Sequence, residues 1–343
     1  MKAGGGAPIL PMEAEPATEI PRGEAWQYEP KWDGFRCVAV KNGQVRELYS
    51  KSGQPMARYF PEVLEALSAL PMREGVLDGE LVVPREGNLS FDSLLQRIHP
   101  AASRVALLSR TTPALFLAFD LLRDGSHLLP DEPLEERRQA LERRAKDWPE
   151  GGVFRLSPRT FSFETAQEWF RGMGGGLDGV IAKRRDAAYL IGERSDSMLK
   201  IKNRRTADCV VGGFRYGAKG ATVGSLLLGL YEGKLLHHVG FTSGIPAAER
   251  PALTSRLEGM VEPPGFTGRA PGGPSRWSRG RSSEWQPLRN ELVVEVEYDH
   301  FTGGRFRHGT RLVRWRPDKK PGQCTMTQVQ KESRSPLHLL GAA

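Results

Sequence analysis

The sequence predicts an α+β protein of two domains, and three observations carry that prediction. Up to about residue 202, stretches with helical spacing of apolar residues alternate with short apolar runs of strand character. Beyond it come many short strands separated by glycine-rich turns, the pattern of a small barrel or sandwich. Charge divides at the same place: residues 203–320 hold 19 Lys/Arg against 11 Asp/Glu, so the whole net charge of +8 lies there. A chain of 343 residues can build two cores of ordinary size. The expected domains are 1–202 and 203–343, with a hinge at 203–208 and a weakly ordered tail after residue 321. A basic module suggests a polyanionic partner. A solvated basic surface with no partner is the alternative.

Several classes are excluded early. Apolar runs such as Leu226-Leu227-Leu228 are far too short to cross a bilayer. Residues 1–16 are rich in Gly, Ala and Pro and have no basic segment leading into an apolar one, so a cytoplasmic location is expected. Cys37, Cys209 and Cys324 are odd in number and widely spaced. They make neither a disulfide framework nor a zinc pattern, and reduced thiols are expected.

In chain order, residues 26–46 read as a β-hairpin around Asn42-Gly43, with Lys31 in the loop that feeds its first strand. Residues 59–70 carry Val63, Leu64, Leu67 and Leu70 at helical spacing, stopped by Pro71. An apolar strand at 76–83 has Glu80 in its middle, which either finds a partner or faces water on an edge strand. Ser90 caps a short helix to residue 98. A buried strand at 114–122 holds Phe119-Asp120. The helix at 133–147 reads as amphipathic, its charge run a solvated face, and 163–173 is helical. The loop Gly174-Gly175-Gly176 leads into a strand that opens on Asp178 and ends on Lys183. In the next strand Lys200 and Lys202, two apart, share one face, an arrangement that suits an anion between them. Beyond residue 203, strands are expected at 209–214, 225–231, 235–241 and 292–298, and a helix at 247–260. The loop at 265–287 mixes Arg276, Arg279 and Arg281 with Trp277 and Trp285, a composition that suits a nucleic-acid backbone and exposed bases; a linker is the alternative. Residues 311–320 form a cationic strand and turn.

The chemistry concentrates at Glu29-Pro30-Lys31-Trp32-Asp33-Gly34-Phe35-Arg36. It places a potential amine nucleophile between a carboxylate and a tight turn, with a guanidinium five residues on. With the later motifs in order, the chain resembles the ATP-dependent DNA ligases, covalent nucleotidyltransferases, and among them the compact bacterial two-domain type called ligase C. The resemblance spans residues 28–320. It implies an N-terminal nucleotidyltransferase (ATP-grasp-like) adenylation domain of antiparallel sheets with helices, followed by an OB-fold β-barrel domain that binds DNA.

It also implies roles. Lys31 would be the adenylated nucleophile, Glu29 would contact the adenine amino group, and Arg36 the ribose or phosphates. Lys51 stands where the family has arginine after Tyr49-Ser50. Glu80 of Asp78-Gly79-Glu80 would accept from a ribose hydroxyl, and Phe119 would stack on adenine. Asp178 replaces the family's metal-holding glutamate and, with Glu80, is the candidate ligand for Mg²⁺ or Mn²⁺. Arg194, Lys200 and Lys202 would grip phosphates. Arg311, Arg314, Asp318 and Lys319 match a last motif that orients pyrophosphate. Neither the helical DNA-binding domain of the larger archaeal and eukaryotic enzymes nor the zinc module of the NAD-dependent ones has a counterpart in the resemblance, which implies ATP rather than NAD.

The implied reaction has three steps: lysyl adenylate, adenylated 5′-phosphate, and displacement of AMP by a 3′-hydroxyl. Covalent catalysis splits one hard displacement into easier ones. The implied partner is nicked double-stranded DNA, with end-joining or excision-repair proteins beside it, and a monomer is expected. An mRNA-capping guanylyltransferase shares the Lys31-x-Asp33-Gly34 core, an RNA ligase differs by contacts to 2′-hydroxyls, and an inactive nucleic-acid-binding adaptor would need no such constellation.

Overall fold

In the computed structural model, which describes residues 9–172, 177–217, 220, 222–272, 284–329 and 335–340, three sheets carry most of the chain. They divide between two compact units, Met1–Asn203 with Ser333–Ala343, and Arg204–Glu332. The first unit opens with β1 (Glu13–Ala17), β2 (Trp26–Trp32), β3 (Phe35–Asn42) and β4 (Val45–Ser50). The β3–β4 hairpin turns at Gly43-Gln44, one residue past the Asn42-Gly43 expected, with Asn42 paired to Val45 and Gly43 at φ of 60°. Lys31 is therefore inside a strand, not in the loop expected for it. A proline at 30 is tolerated because β2 is the last strand of its sheet, and among the described residues its outer edge pairs with Thr160 alone, through Tyr28.

Helix α1 (Pro61–Ala69) starts on its proline and buries Val63 and Leu67. Strand β5 (Glu74–Val82) follows, then α2 (Phe91–Gln96), whose Ser90 hydroxyl accepts from the Ser93 N–H. Helix α3 (Ala102–Thr111) was not evident in the sequence. The long strand β6 (Leu115–Asp124) and α4 (Leu134–Ala145) come next, then β7 (Phe154–Leu156) and α5 (Phe163–Gly172). The face of α4 expected to be solvated buries Arg137 and Arg138. Arg137 is bidentate on buried Asp120, at 2.8 and 3.0 Å, and Arg138 donates to Ser157 O. Strands β8 (Leu177–Arg184) and β9 (Arg194–Lys202) complete the unit.

One sheet runs β1-β9-β8-β2, antiparallel except for β1 beside β9. The other runs β7-β6-β5-β3-β4, with β7 parallel to β6. Glu80 thus sits on a central strand, not an edge. Tyr28, Trp32, Val82, Leu117, Trp169, Leu177 and Ile201 form a core behind β2.

The second unit is an antiparallel sheet in the order β12-β11-β10-β13-β14. Its strands are β10 (Arg205–Tyr216), β11 (Val223–Glu232), β12 (Leu235–Thr242), β13 (Val293–Tyr298) and β14 (Arg311–Trp315). Helix α6 (Arg250–Glu258) covers its core with Leu257. In the tail expected to be weakly ordered, several of the described residues pack on a core. Cys324, Met326 and Val329 are buried in the second core, while Leu337, Leu339 and Leu340 pack on the first. Trp285, expected to face bases, packs instead against Phe266 at 5.5 Å between centroids. Arg276, Trp277, Arg279, Arg281 and the Gly174–Gly176 loop lie outside the described residues. Cys37, Cys209 and Cys324 are free and buried, as expected for reduced thiols. No helix among the described residues is long and apolar enough to cross a membrane.

Candidate active site

Three adjacent strands bring the site together by register alone. Lys31 on β2 faces Gly179 on β8, which faces Lys202 on β9; one step along, Glu29 faces Ile181, which faces Lys200. Residues directly opposite share a face, so Glu29, Lys31, Lys200 and Lys202 line one side of the sheet, with Tyr28 and Trp32 in the core on the other. The β2–β8 ladder is irregular between Leu177 and Gly179. Asp178 is the extra residue of that bulge, and the bulge aims its carboxylate onto the working face. There it takes the Lys31 ammonium and lies 3.3 Å from Lys202 Nζ. The anion that the lysine pair called for is thus partly supplied by the protein itself.

Two residues along β2 from Lys31 a cluster of buried polar side chains begins. Glu29 accepts from Gln27 Nε2 at 2.8 Å and pairs with Lys183 at 2.7 Å, all three buried. The Lys183 ammonium and the Arg36 guanidinium each lie 4.6 Å from the centre of the Phe119 ring. Arg36 is bidentate on Asp78, with both bonds at 2.6 Å, and Tyr189 donates to the same carboxylate at 2.5 Å. Burial opposes the charge on Arg36, but Asp78 more than compensates and raises its pKa. Burial pushes the Glu80 carboxyl up to about 7, against the pull of Lys31 and Arg36.

A cationic tract extends from the lysines. Burial, then the charges of Arg194 and Lys51, lower the pKa of Lys200. Glu13 binds both of those cations, Lys51 at 2.9 Å and Arg194 at 2.6 Å.

The structure therefore gathers Glu29, Lys31, Arg36, Lys51, Glu80, Phe119, Asp178, Arg194, Lys200 and Lys202 in the first unit. Arg314, Asp318 and Lys319 belong to the second and are engaged within it: Arg314 with Glu295 at 2.7 Å, Asp318 with Arg316 at 2.8 Å, Lys319 with Asp208 at 3.2 Å. Lys183, Gln27, Tyr189 and Glu13 were missed as site residues. For Lys183 the signal was available, because it shares the alternation of Gly179 and Ile181. Glu13 and Tyr189 arrive through long-range pairing that leaves no local pattern. Among the described residues, no group of three or more His, Cys, Asp or Glu is arranged to hold a metal by itself.

Comparison with known proteins identifies the family. Residues 11–202 match the family model "ATP dependent DNA ligase domain" and residues 219–319 match "ATP dependent DNA ligase C terminal region". The chain is 45% identical over 349 residues to DNA ligase C2 of Mycolicibacterium smegmatis, covering 96% of each chain. It is 32% identical over 308 residues to the multifunctional non-homologous end joining DNA repair protein LigD of Mycobacterium tuberculosis, covering 87% of this chain and 37% of that one. A solved structure from work on Lig E DNA ligases with a minimal scaffold superposes with a TM-score of 0.55 at 17% identity, covering 90% of this chain and all of the other, a likeness of fold.

Proposed function

This chain belongs to the ATP-dependent DNA ligases, and from that premise we propose that Lys31 is its adenylated nucleophile and nicked duplex DNA the substrate it seals. The observation that carries this reading is the Lys31 amine, held on Asp178 in a row with Lys202 and beside Lys200. An amine so placed meets a phosphorus atom whose oxygens face two further ammonium groups.

In the first step the Lys31 ammonium gives a proton to Asp178, on which it rests, and the freed lone pair bonds to the α-phosphorus of ATP. The bond to the bridging oxygen breaks, pyrophosphate leaves with that electron pair, and the second proton shed by the nitrogen goes to solvent. The adenylate then passes to the 5′-phosphate at the nick, and the 3′-hydroxyl displaces AMP to form the phosphodiester. Lys200, Lys202, Arg194 and Lys51 meet the negative charge that gathers on phosphate oxygens, where the loss of one such group typically costs about 10²- to 10³-fold in rate. Glu29 accepts from the adenine amine, Phe119 stacks on the ring, and Arg36 and Glu80 hold the ribose side. Arg314, Asp318 and Lys319 orient pyrophosphate, which requires them to leave their present partners.

A divalent cation, Mg²⁺ or Mn²⁺, fits the donor set. Asp178 and Glu80 are hard oxygen donors close to Lys31, and such ions take one or two carboxylates together with phosphates. When bound it would neutralise phosphate charge. The end-joining name of the LigD relative supports a repair setting; a monomer acting in the cytoplasm completes the proposal.

The test is direct. Purified protein with α-labelled ATP and magnesium should acquire an AMP adduct and close nicked duplex, while Lys31→Ala should do neither. Labelling by GTP in preference to ATP, or an adduct that survives in Lys31→Ala, would overturn the reading.

A further inference from the structure

The cations read as phosphate-binding are not idle in the structure, because a carboxylate already sits on two of them. Glu13 divides its oxygens: Oε1 takes Lys51 at 2.9 Å and Oε2 takes Arg194 at 2.6 Å. Two oxygens of one group, each bound to a separate cation, is the pattern that the non-bridging oxygens of a phosphate would make in the same place.

Stability alone gives a weak reason for this arrangement. The side chains of Lys51 and Arg194 are 54% and 45% exposed, and ion pairs between such groups contribute little. Position gives a stronger one. Lys51, Arg194 and Lys31 all act on Lys200, and Glu13 is the carboxylate that offsets them there. Its place is fixed by backbone rather than by the ion pairs. Strand β1 lies parallel to β9 with Glu13 opposite Arg194, and the Glu13 N–H donates to Glu193 O at 2.7 Å. The carboxylate is a fixture of the tract.

We propose that Glu13 is an internal stand-in for phosphate: it keeps Lys51 and Arg194 aimed at the site and must be displaced when a ligand phosphate enters. This rests on the reading that Lys51 and Arg194 meet phosphate. The phosphate is either the polyphosphate of ATP and pyrophosphate or the 5′-phosphate of the nick. Displacement opposes entry and assists departure, so Glu13 weakens phosphate binding and speeds release. Glu13 is a positioning residue, since it acts through the two cations.

The decisive variant is Glu13→Gln, which keeps the shape and removes the charge. One arm measures self-adenylation against ATP concentration, with inhibition by pyrophosphate. The other gives pre-adenylated enzyme nicked duplex with and without a 5′-phosphate. In the arm whose phosphate occupies the site, KM or the inhibition constant should fall about 3- to 10-fold, the scale of two half-exposed ion pairs. In that arm kcat should stay level or drop as release slows, and Glu13→Asp should behave as wild type. Tightening in either arm supports the proposal and identifies the phosphate; unchanged or weakened binding in both overturns it. Lys51→Ala and Arg194→Ala separate the two levels of inference. If they leave phosphate binding unchanged, the reading of the cations fails; if they weaken it while Glu13→Gln does not tighten it, only the role of Glu13 fails.

Discussion

A single methyl group added at Gly179 should disable the site from its floor. Gly179 lies between Lys31 and Lys202 in the strand register and has φ of 138°, in the region that side chains rarely adopt. A Cβ built there would come 1.9 Å from Ile201 O and 3.0 Å from Lys202 Cα, both backbone atoms that cannot rotate away. Opening 1.9 Å to an ordinary 3.4 Å contact moves β9 from β8 by about 1.5 Å. Lys200 and Lys202 move with β9, whereas Lys31 stays on β2. The 3.3 Å contact between Asp178 and Lys202 opens with them. A misplacement of about 1 Å among reacting groups costs on the order of 10² in rate, and the strained φ adds about 1–3 kcal/mol against folding. Gly179→Ala should therefore form lysyl adenylate at least about 100-fold more slowly in single turnover. Circular dichroism supplies the folded fraction, so the rate is expressed per folded molecule. A folded Gly179→Ala protein that adenylates within about threefold of wild type would refute the reasoning, because the sheet would then have absorbed the methyl group without disturbing the amines.

Two further predictions concern buried charge. Since burial raises Glu80 to about 7 from an ordinary 4.5, the folded state binds this proton more tightly than the unfolded state. Stability is then lost as pH rises through that window, and Glu80→Gln, neutral throughout, escapes the loss. The melting temperature of the ligand-free Glu80→Gln protein relative to wild type should rise between about pH 5 and about pH 8, and a constant difference would contradict it. For the Asp120–Arg137 pair, each side chain only 3% exposed, burial works to raise the Asp120 carboxyl but Arg137 holds it below its ordinary range. Arg137→Met strands that carboxylate and should cost about 3–5 kcal/mol in urea unfolding; a loss below about 1 kcal/mol would show that water reaches Asp120.

What the sequence made legible, and what it hid, follows from how far each interaction reaches along the chain. Glu29, Lys31, Asp33, Gly34 and Arg36 lie within eight residues, and their chemistry was readable before any fold was known. Lys200 and Lys202 share a face simply because a strand has a period of two. The placement of Lys31 failed because Pro30 and the Asp33-Gly34 turn are local loop signals, and nothing local says that β2 ends its sheet, where a proline loses little. Arg137 and Arg138 were misread for a related reason. A charge run on a helix is ordinarily solvated, and only their partners Asp120 and Ser157 O, 17 and 19 residues away, make burial tolerable. Asp178 was visible as an acid in place of the family's glutamate, but its contact with Lys31 spans 147 residues and depends on a bulge. Glu13 is the extreme case: it sits in the Gly-, Ala- and Pro-rich segment 1–16, and its meaning arises only when a parallel strand brings it to Arg194, 181 residues on. Local spacing thus discloses which groups can react. The groups that hold those reactants in place are set by sheet register, and their positions carry no pattern that a window of sequence can reveal.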